Sequence, residues 1–199
     1  FDFNSVLSID FFFFGQKCYF HAMDSATCYS ESIRVSSRSL PLAIAAIRSI
    51  WLRRHGTPSF LTADAEFEKP QLKRFLQAEG IIPIWVPSGR KEKNSIIERK
   101  HREIRKYVRK IASAPNAIPS DEEVEEATFL SNIAYGSRLV SPFEAVRGYT
   151  PALSGFGTRS AQLHVVSDAR REAEHNRRAR ERISKMLASR SWTPLDVFP

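Results

Sequence analysis

The chain has 199 residues, of which 42% are hydrophobic and 26% are charged, as in a globular protein large enough for one domain and an appendage. Its longest apolar stretch, Ile9 to Phe14, has the length of a buried strand and not of a membrane span, and two cysteines are too few for a disulfide framework. The net charge of +8 is uneven, because residues 90–110 hold ten Lys or Arg against three Glu and residues 170–190 hold eight against three. This distribution favours a polyanionic partner over a membrane.

The first third of the chain has the pattern of a β-sheet. Val6–Phe14 is apolar and rich in aromatic residues, and Gly15-Gln16 forms a two-residue turn to a second strand, Lys17–Met23. A third strand, Ser30–Val35, is more polar, and we expect it nearer the edge of the sheet.

Helices and strands alternate in the next part of the chain. The spacing of the apolar residues predicts an amphipathic helix, which Gly56 ends, and Pro70 stands in the first turn of a second helix. The predicted elements are a helix at Leu40–Arg54, a strand at Phe60–Ala63, a helix at Pro70–Ala78 and a strand at Ile81–Val86. Three strands followed by this alternation indicate a mixed α/β layer domain.

The second half of the chain is predicted to be mostly helical. After a basic loop, Pro87–Asn94, a helix extends over Ser95–Ile111. Two further helix starts are predicted by capping boxes, formed by Ser120 with Glu123 and by Ser141 with Glu144. Gly148 is placed to end the last of these helices.

We expect three segments along the chain. These are an α/β domain over residues 1–153, a linker over residues 154–168, and an Arg-rich helix within residues 169–199. The Arg-rich helix is expected to lead toward a further C-terminal domain, so that the chain is a piece of a longer polypeptide. Extension of a nucleic-acid-binding surface and a solvated linker helix are equally good interpretations of this segment.

Three carboxylates stand where an α/β domain places its chemistry. Asp10 lies inside an apolar strand, where an ionised carboxylate is costly unless a cation or several donors meet it. Asp64 follows the carboxyl end of a strand, and Glu98 lies in the basic helix. Taken singly, Asp10 could cap a loop and Asp64 could lead a helix. Glu98 could pair with Arg102 one turn away. Together the three form the oxygen-rich set that Mg²⁺ prefers.

Five short motifs resemble the catalytic core of retroviral and retrotransposon integrases, the D,D,E transferases of the RNase H-like superfamily. The motifs are Ile9-Asp10-Phe11, Thr62-Ala63-Asp64-Ala65-Glu66-Phe67, Asn94-Ser95-Ile96-Ile97-Glu98-Arg99, Ser141-Pro142-Phe143-Glu144 and Gly148-Tyr149-Thr150-Pro151. The resemblance covers about Val6 to Leu153 and depends on the order and spacing of the motifs together. It implies an α/β fold, an RNase H-like mixed sheet of about five strands flanked by helices, with a C-terminal basic helical extension.

The same resemblance implies DNA integration as the function. Two Mg²⁺ or Mn²⁺ ions would be held by Asp10, Asp64 and Glu98. Water would first trim the 3′ end of the element DNA, and the new 3′-hydroxyl would then attack target DNA. The resemblance further implies a fragment of a Pol polyprotein and a homo-oligomer with DNA as its partner. The expected location is the nucleus or a virus-like particle, with no membrane and no small-molecule substrate involved.

The turn after Asp64 departs from the family pattern. It lacks the usual glycine and is shortened, so that Glu66 comes early in the sequence. We expect Asp64 to remain the metal ligand and Glu66 to support the site from behind the ligands.

A basic helix face beside Glu98 is the predicted DNA contact. Four residues spaced by four, four and three positions lie close to one face of a helix, namely Asn94, Glu98, Arg102 and Arg105. Guanidinium groups would therefore hold phosphates next to the reacting one. Contacts to the DNA backbone are also predicted for three loop residues, Arg90, Lys91 and Lys93. An ordinary solvated helix face is the alternative.

Several other residues are assigned to structure. Phe12, Phe14, Trp51 and Phe75 are predicted to be core residues and not base-stacking platforms. We expect His101 to be a surface histidine, with a DNA contact or proton transfer as the alternative, and Cys18 and His21 are too isolated to suggest a ligand pair.

Two other functions remain open at the level of the sequence. One is an RNase H-like nuclease that acts on RNA–DNA hybrids. The long basic helix after Glu98 argues against this interpretation. The other is a decayed or domesticated core that binds nucleic acid or partners without catalysis.

Overall fold

Five strands form one mixed sheet in the computed structural model of the chain. They are β1 (Val6–Phe14), β2 (Lys17–Asp24), β3 (Ser30–Val35), β4 (Phe60–Asp64) and β5 (Ile82–Val86), in the spatial order β3-β2-β1-β4-β5. The three strands on one side are antiparallel, whereas β4 runs parallel to both β1 and β5. This confirms the predicted mixed α/β sheet of five strands.

The structure describes residues 2–87, 91–112, 117–134 and 140–149, without the side chains of residues 91–95. The chain divides into two compact units, Phe1–Asn132 and Ile133–Pro199, and the sheet belongs to the first. The predicted linker and Arg-rich helix lie outside the described residues. Within the described residues, no helix is both long enough and apolar enough to cross a membrane.

Five helices accompany the sheet in the described residues. Helix α1 is α-helical over Leu40–Ala46, continues as a π-helical segment over Ile47–Leu52 and ends in a last turn, Arg53–His55. The others are α2 (Pro70–Ala78), α3 (Lys91–Ile111), α4 (Asp121–Ile133) and α5 (Pro142–Arg147).

The core of the first unit lies on both faces of the sheet. On one face, α3 and α4 cover β1 and β2 through Phe12, Tyr19, Ile104, Val108, Val124 and Ala127. The π-helical part of α1 packs against β2 and β3, and α2 packs against β5. The predicted core positions Phe12, Trp51 and Phe75 are buried and Phe14 is partly buried, which confirms their structural role.

The start of α3 differs from the prediction. The helix begins at Lys91, four residues before Ser95, so that Lys91 and Lys93 belong to the helix and not to a loop. The four intervening residues, Lys, Glu, Lys and Asn, contain neither Gly nor Pro, so the sequence allows the helix to begin before Ser95. Arg90 lies outside the described residues.

Both predicted capping boxes are present. The Ser120 hydroxyl accepts from the Glu123 backbone N–H while the Glu123 carboxylate accepts from the Ser120 N–H. The same reciprocal pair joins Ser141 and Glu144 at the start of α5. Gly148 ends that helix at a φ of 78°, in the left-handed region that favours glycine.

Candidate metal centre

Two adjacent parallel strands bring Asp10 and Asp64 together. The ladder between β1 and β4 pairs Ser8 with Thr62, and Asp10 and Asp64 each follow two residues further along their strand. Hydroxyl oxygens of Ser8 and Thr62 lie 2.8 Å apart and join the strands just before the carboxylates. Both carboxylates therefore emerge at the same edge of the sheet, where α/β proteins place their chemistry.

A short 3₁₀ turn adds a third carboxylate, that of Glu66. The turn, Ala65–Phe67, follows β4 directly, and the buried ring of Phe67 stacks on Phe11 with centroids 5.3 Å apart. One oxygen each of Asp10, Asp64 and Glu66 lies within 4.8 Å of the others. The shortened turn noted in the sequence thus places Glu66 beside Asp10 and Asp64, and the supporting role expected for it stays a prediction.

The two aspartates of the cluster have pKa values raised by their surroundings. Burial raises the pKa of Asp10 to about 7, and repulsion from Asp64 and Glu66 acts in the same direction, whereas the Phe11 N–H bond and the Arg38 charge lower it. Burial also raises the pKa of Asp64, with added repulsion from Glu66 and Glu98. In the absence of a cation, these groups therefore resist full ionisation at the same time.

Glu98 lies near this cluster but is not part of it. Its side chain on α3 is exposed, and Asp10, Asp64 and Glu66 form the compact set among the described residues. Its negative charge nevertheless contributes to the raised pKa of Asp64. The structure thus brings two of the three carboxylates predicted as metal ligands into one compact set, and places the third nearby.

The expectation of a surface position for His101 is wrong. Its exposed fraction is 4%, and its ring stacks on Phe12 with centroids 4.9 Å apart. The reason is visible in the sequence, because His101 continues the helical stripe formed by Ile97, Ile104 and Val108, which are all buried. That spacing was the signal that could have identified it.

His101 links the cluster to a second buried histidine, His21. Nε2 of His101 lies 2.9 Å from Nδ1 of His21, and its Nδ1 lies 3.8 Å from Oδ2 of Asp10. The sequence had given His21 no partner. Burial lowers the pKa of His101 to about 3 and that of His21 well below its usual value, so both rings are neutral and neither brings positive charge to Asp10.

Within the described part of the chain, the Arg38 guanidinium is a cation that acts on the cluster. It forms an ion pair with Glu66, and its charge lowers the pKa of both Asp10 and Asp64. Nothing in the sequence pattern indicates this role, because Arg38 and Glu66 are 28 positions apart.

The residues present fit a divalent metal ion. Magnesium and manganese prefer hard oxygen ligands, and three carboxylate oxygens within 4.8 Å of each other supply them. A cation would also reduce the repulsion between the carboxylates. It would offset the cost of removing the ionised Asp10 carboxylate from water, since the Asp10 side chain is only 20% exposed. The cluster can therefore hold a metal ion.

The basic residues of α3 divide into two groups. Lys100 is buried and donates to the carbonyl oxygen of Ser131 at 2.8 Å, so it joins α3 to α4. Arg102 is exposed and Arg105 is half-buried near His101, whose pKa its charge lowers. The side chains of Lys91, Lys93 and Asn94 and the whole of Arg90 lie outside the described set.

A solved retroviral assembly has the same fold. The chain superimposes on a chain of the intasome of simian T-cell lymphotropic virus, from a cryo-EM structure of that intasome in complex with the PP2A regulatory subunit B56 gamma, with a TM-score of 0.63. The fold is integrase-like. The sequence identity is 12%, and the match covers 78% of this chain and 60% of the other. The mixed sheet and its helices accordingly form an RNase H-like fold, as predicted.

Sequence comparisons add nothing to this likeness. No protein-family model matches the chain, and no curated protein does. At this level of identity the likeness shows the fold alone, and the chain spans about three fifths of the length of the viral one. A functional assignment must consequently be based on the residues of the candidate metal centre.

Proposed function

We propose that this chain is the catalytic core of a retroelement integrase, a polynucleotidyl transferase that trims DNA ends and joins them to target DNA. The observation that carries the proposal is the compact carboxylate set of Asp10, Asp64 and Glu66 at the carboxyl ends of two adjacent strands, inside an integrase-like fold. Such an arrangement is suited to phosphoryl transfer by metal ions and needs no covalent protein–DNA intermediate.

Asp10 and Asp64 are the proposed metal ligands of strands β1 and β4. Two Mg²⁺ or Mn²⁺ ions, when bound, would activate the attacking oxygen and stabilise the leaving one. The neutral ring of His101 leaves the negative charge of Asp10 available for such a cation, and the Phe11 N–H holds one carboxylate oxygen at 2.7 Å.

Glu98 remains the proposed third catalytic ligand. It projects from a helix that also carries exposed arginine, and it lies near enough to Asp64 to raise its pKa. Glu66 lies with Asp10 and Asp64 in the present geometry, so we propose that it shares in metal binding and supports the site when Glu98 is engaged.

DNA is the proposed partner along α3. Arg102 and Arg105 are placed one and two turns beyond Glu98, where they would contact phosphates that flank the reacting one. We extend the proposal to Arg90, Lys91, Lys93 and Asn94 on the evidence of the sequence. The likeness to an intasome chain supports binding of DNA by a homo-oligomer as part of this proposal. We also propose a Pol polyprotein origin and a location in the nucleus or a virus-like particle, both on the evidence of the sequence.

The experiment is a strand-transfer assay with paired oligonucleotides and Mg²⁺. Asp10→Asn and Asp64→Asn each remove a negative ligand at nearly constant shape, and a metal contribution of several kcal/mol corresponds to a loss of about 1,000-fold in rate. Glu68→Gln is the matched control, since Glu68 is two residues from Glu66 but pairs with Lys73, and we expect it to retain wild-type activity.

The outcomes of this assay separate the candidate functions. Metal-dependent joining that depends on Asp10 and Asp64 supports the proposal. Cleavage of an RNA–DNA hybrid without joining would identify a nuclease, and DNA binding without cleavage or joining would identify a core that has lost catalysis.

A further inference from the structure

Arg38 lies between β3 and α1, at the rim of the carboxylate cluster. Its guanidinium pairs with Glu66, and both side chains are about half exposed, at 47% and 48%. An exposed ion pair of this kind adds little to stability because water screens both charges. Its position beside the proposed metal ligands therefore calls for a reason other than stability.

Two phenylalanine rings hold the Arg38 guanidinium in place. Its central carbon lies 5.9 Å from the ring centroids of both Phe11 and Phe13. Phe11 is fixed in turn by its stacking on buried Phe67. An arginine supported by aromatic rings keeps its planar fork ordered, and this fork matches the oxygen geometry of phosphate.

The same cation is coupled to the metal site through charge. Glu66 is at once the partner of Arg38 and a member of the compact carboxylate set. A divalent ion that draws the Glu66 carboxylate toward itself would weaken the ion pair and free a guanidinium that is already half exposed. The freed group would lie next to the phosphate held by that ion.

We propose that Arg38 is a phosphate-binding residue of the site, held by Glu66 in the metal-free protein and transferred to a DNA phosphate when divalent metal binds. The proposal rests on the function proposed above and adds a DNA contact that is conditional on metal. Its consequence is a positive coupling between metal and DNA, in which part of the affinity for DNA appears only with the metal.

Arg38→Ala is the test variant, and Arg48→Ala is its matched control. Arg48 also pairs with a glutamate, Glu79, and its guanidinium also lies over a phenylalanine, Phe75, at 4.9 Å. It is similarly exposed, at 56%, but is not among the charges that act on Asp10 or Asp64. The two variants remove the same chemical group from two similar ion pairs.

The measurement is the affinity for a duplex that is already trimmed at its 3′ end and closed there by a dideoxynucleotide, so that it has no 3′-hydroxyl to join, in Mg²⁺ and in EDTA over a range of salt. In Mg²⁺ we expect Arg38→Ala to lose about 10-fold in affinity and the slope of log affinity against log salt to become shallower by about 0.9. In EDTA we expect less than about a 2-fold change, because Glu66 already holds the guanidinium.

Two further variants sharpen the test. Glu66→Gln releases Arg38 without metal, so its affinity for the duplex in EDTA should exceed that of the wild type, and adding Arg38→Ala should remove the gain. Arg38→Lys keeps the charge but not the fork, so the salt slope should stay while part of the affinity in Mg²⁺ is lost.

The result that overturns the inference is distinct from the failure of the proposed function. If Mg²⁺ tightens wild-type DNA binding but Arg38→Ala behaves as Arg48→Ala does, Arg38 does not bind phosphate and the integrase proposal stands. An equal loss in Mg²⁺ and EDTA would refute the transfer from Glu66. If Mg²⁺ neither tightens DNA binding nor supports joining in the wild type, both proposals are wrong.

Discussion

Two aspartates on neighbouring strands have very different surroundings. Asp24, in β2, is fully buried, and its oxygens accept from the Asn4 N–H and from both the N–H and the hydroxyl of Thr27, at 2.7–3.0 Å. Asp10, three residues beyond Leu7, the partner of Asp24 in the β1–β2 ladder, accepts from the adjacent Phe11 N–H and lies near a neutral histidine. The Asp64 and Glu66 carboxylates repel it, and the Arg38 charge offsets only part of the rise in its pKa.

The contrast separates a structural carboxylate, Asp24, from Asp10, the proposed metal ligand. The protein supplies the donors that make Asp24 stable inside the fold, and no external ligand is needed there. Around Asp10 it assembles more negative charge, in a place where each added carboxylate is costly. Such a site is stabilised by a cation from outside, and we expect the two aspartates to respond oppositely to the same substitution.

The largest expected effect is on stability in the absence of metal. Both carboxylate oxygens of Asp24 accept hydrogen bonds from N–H or O–H donors, and Asp24→Asn places an amide nitrogen against such a donor. We expect the free energy of unfolding to fall by about 3 kcal/mol. Asp10→Asn removes a repulsive charge and should leave the free energy of unfolding in EDTA unchanged or higher at pH 7.5. Urea unfolding of the two variants and the wild type measures this. Similar losses at both positions would remove the distinction.

The pH dependence of the same measurement gives a second effect of similar size. The pKa of Asp10 in the folded protein is about 7, against an ordinary 3.8, so the native state holds its proton more tightly than the unfolded state does. Stability due to this group is present below pH 4 and is lost as the pH rises through about 7. The loss is of the order of 2–4 kcal/mol.

A difference between variants isolates this contribution from the histidines. His21 and His101 have lowered pKa values. Their contribution to the stability of the protein is therefore lost as the pH falls below the ordinary histidine pKa, which is opposite to the effect of Asp10. In EDTA, the stability of Asp10→Asn relative to the wild type should therefore grow from pH 4 to pH 8. A difference that is constant over this range would contradict the raised pKa.

Much of the fold could be predicted because its signals are local. The turn at Gly15, the capping box at Ser120 and the proline that opens α2 each involve a few adjacent residues, and each is found in the structure. Asp10 and Asp64 could be brought together from the sequence because the carboxyl ends of neighbouring strands share one edge of the sheet.

The remainder of the site depends on contacts that local patterns do not carry. Arg38 reaches Glu66 across 28 positions, and the path of the 3₁₀ turn that turns Glu66 inward depends on the packing of Phe67 against Phe11. His101 was missed for another reason, since its charged neighbours hid the buried stripe to which it belongs. Burial of a polar residue in a basic helix is a tertiary effect that overrides local composition.

A third prediction asks which glutamate completes the metal site. Glu98→Gln should lower Mg²⁺ affinity about 10-fold and stop strand transfer while DNA binding remains, if Glu98 moves onto the metal as proposed. Glu66→Gln should lower Mg²⁺ affinity less and leave measurable joining. Calorimetric titration of Mg²⁺, with Glu68→Gln as the control, tests both. If Glu66→Gln instead lowers Mg²⁺ affinity and joining more than Glu98→Gln does, Glu66 is the third metal ligand. The metal site would then consist of Asp10, Asp64 and Glu66.

The smallest expected effect concerns the cations of α3, where the same contrast recurs. Lys100 resembles Asp24, because it is buried and its ammonium group donates to the carbonyl oxygen of Ser131. The charge of Lys100 therefore stabilises the fold. Arg102 is exposed and Arg105 is half-buried, and we propose that both contact the substrate. Arg102→Ala with Arg105→Ala should weaken binding to all duplex sequences and reduce the salt slope by up to about 1.8, or about 0.9 for each phosphate contact.

A double variant of exposed arginines on other helices provides the control for this measurement. Arg53→Ala with Arg74→Ala removes the same charge from α1 and α2, so it reports the effect of net charge alone. Because nonspecific attraction depends on net charge while the salt slope counts released counterions at the contact, the two double variants should differ in slope. Equal slopes would assign Arg102 and Arg105 to an ordinary solvated helix face, and DNA would then have to meet the carboxylate edge from another direction.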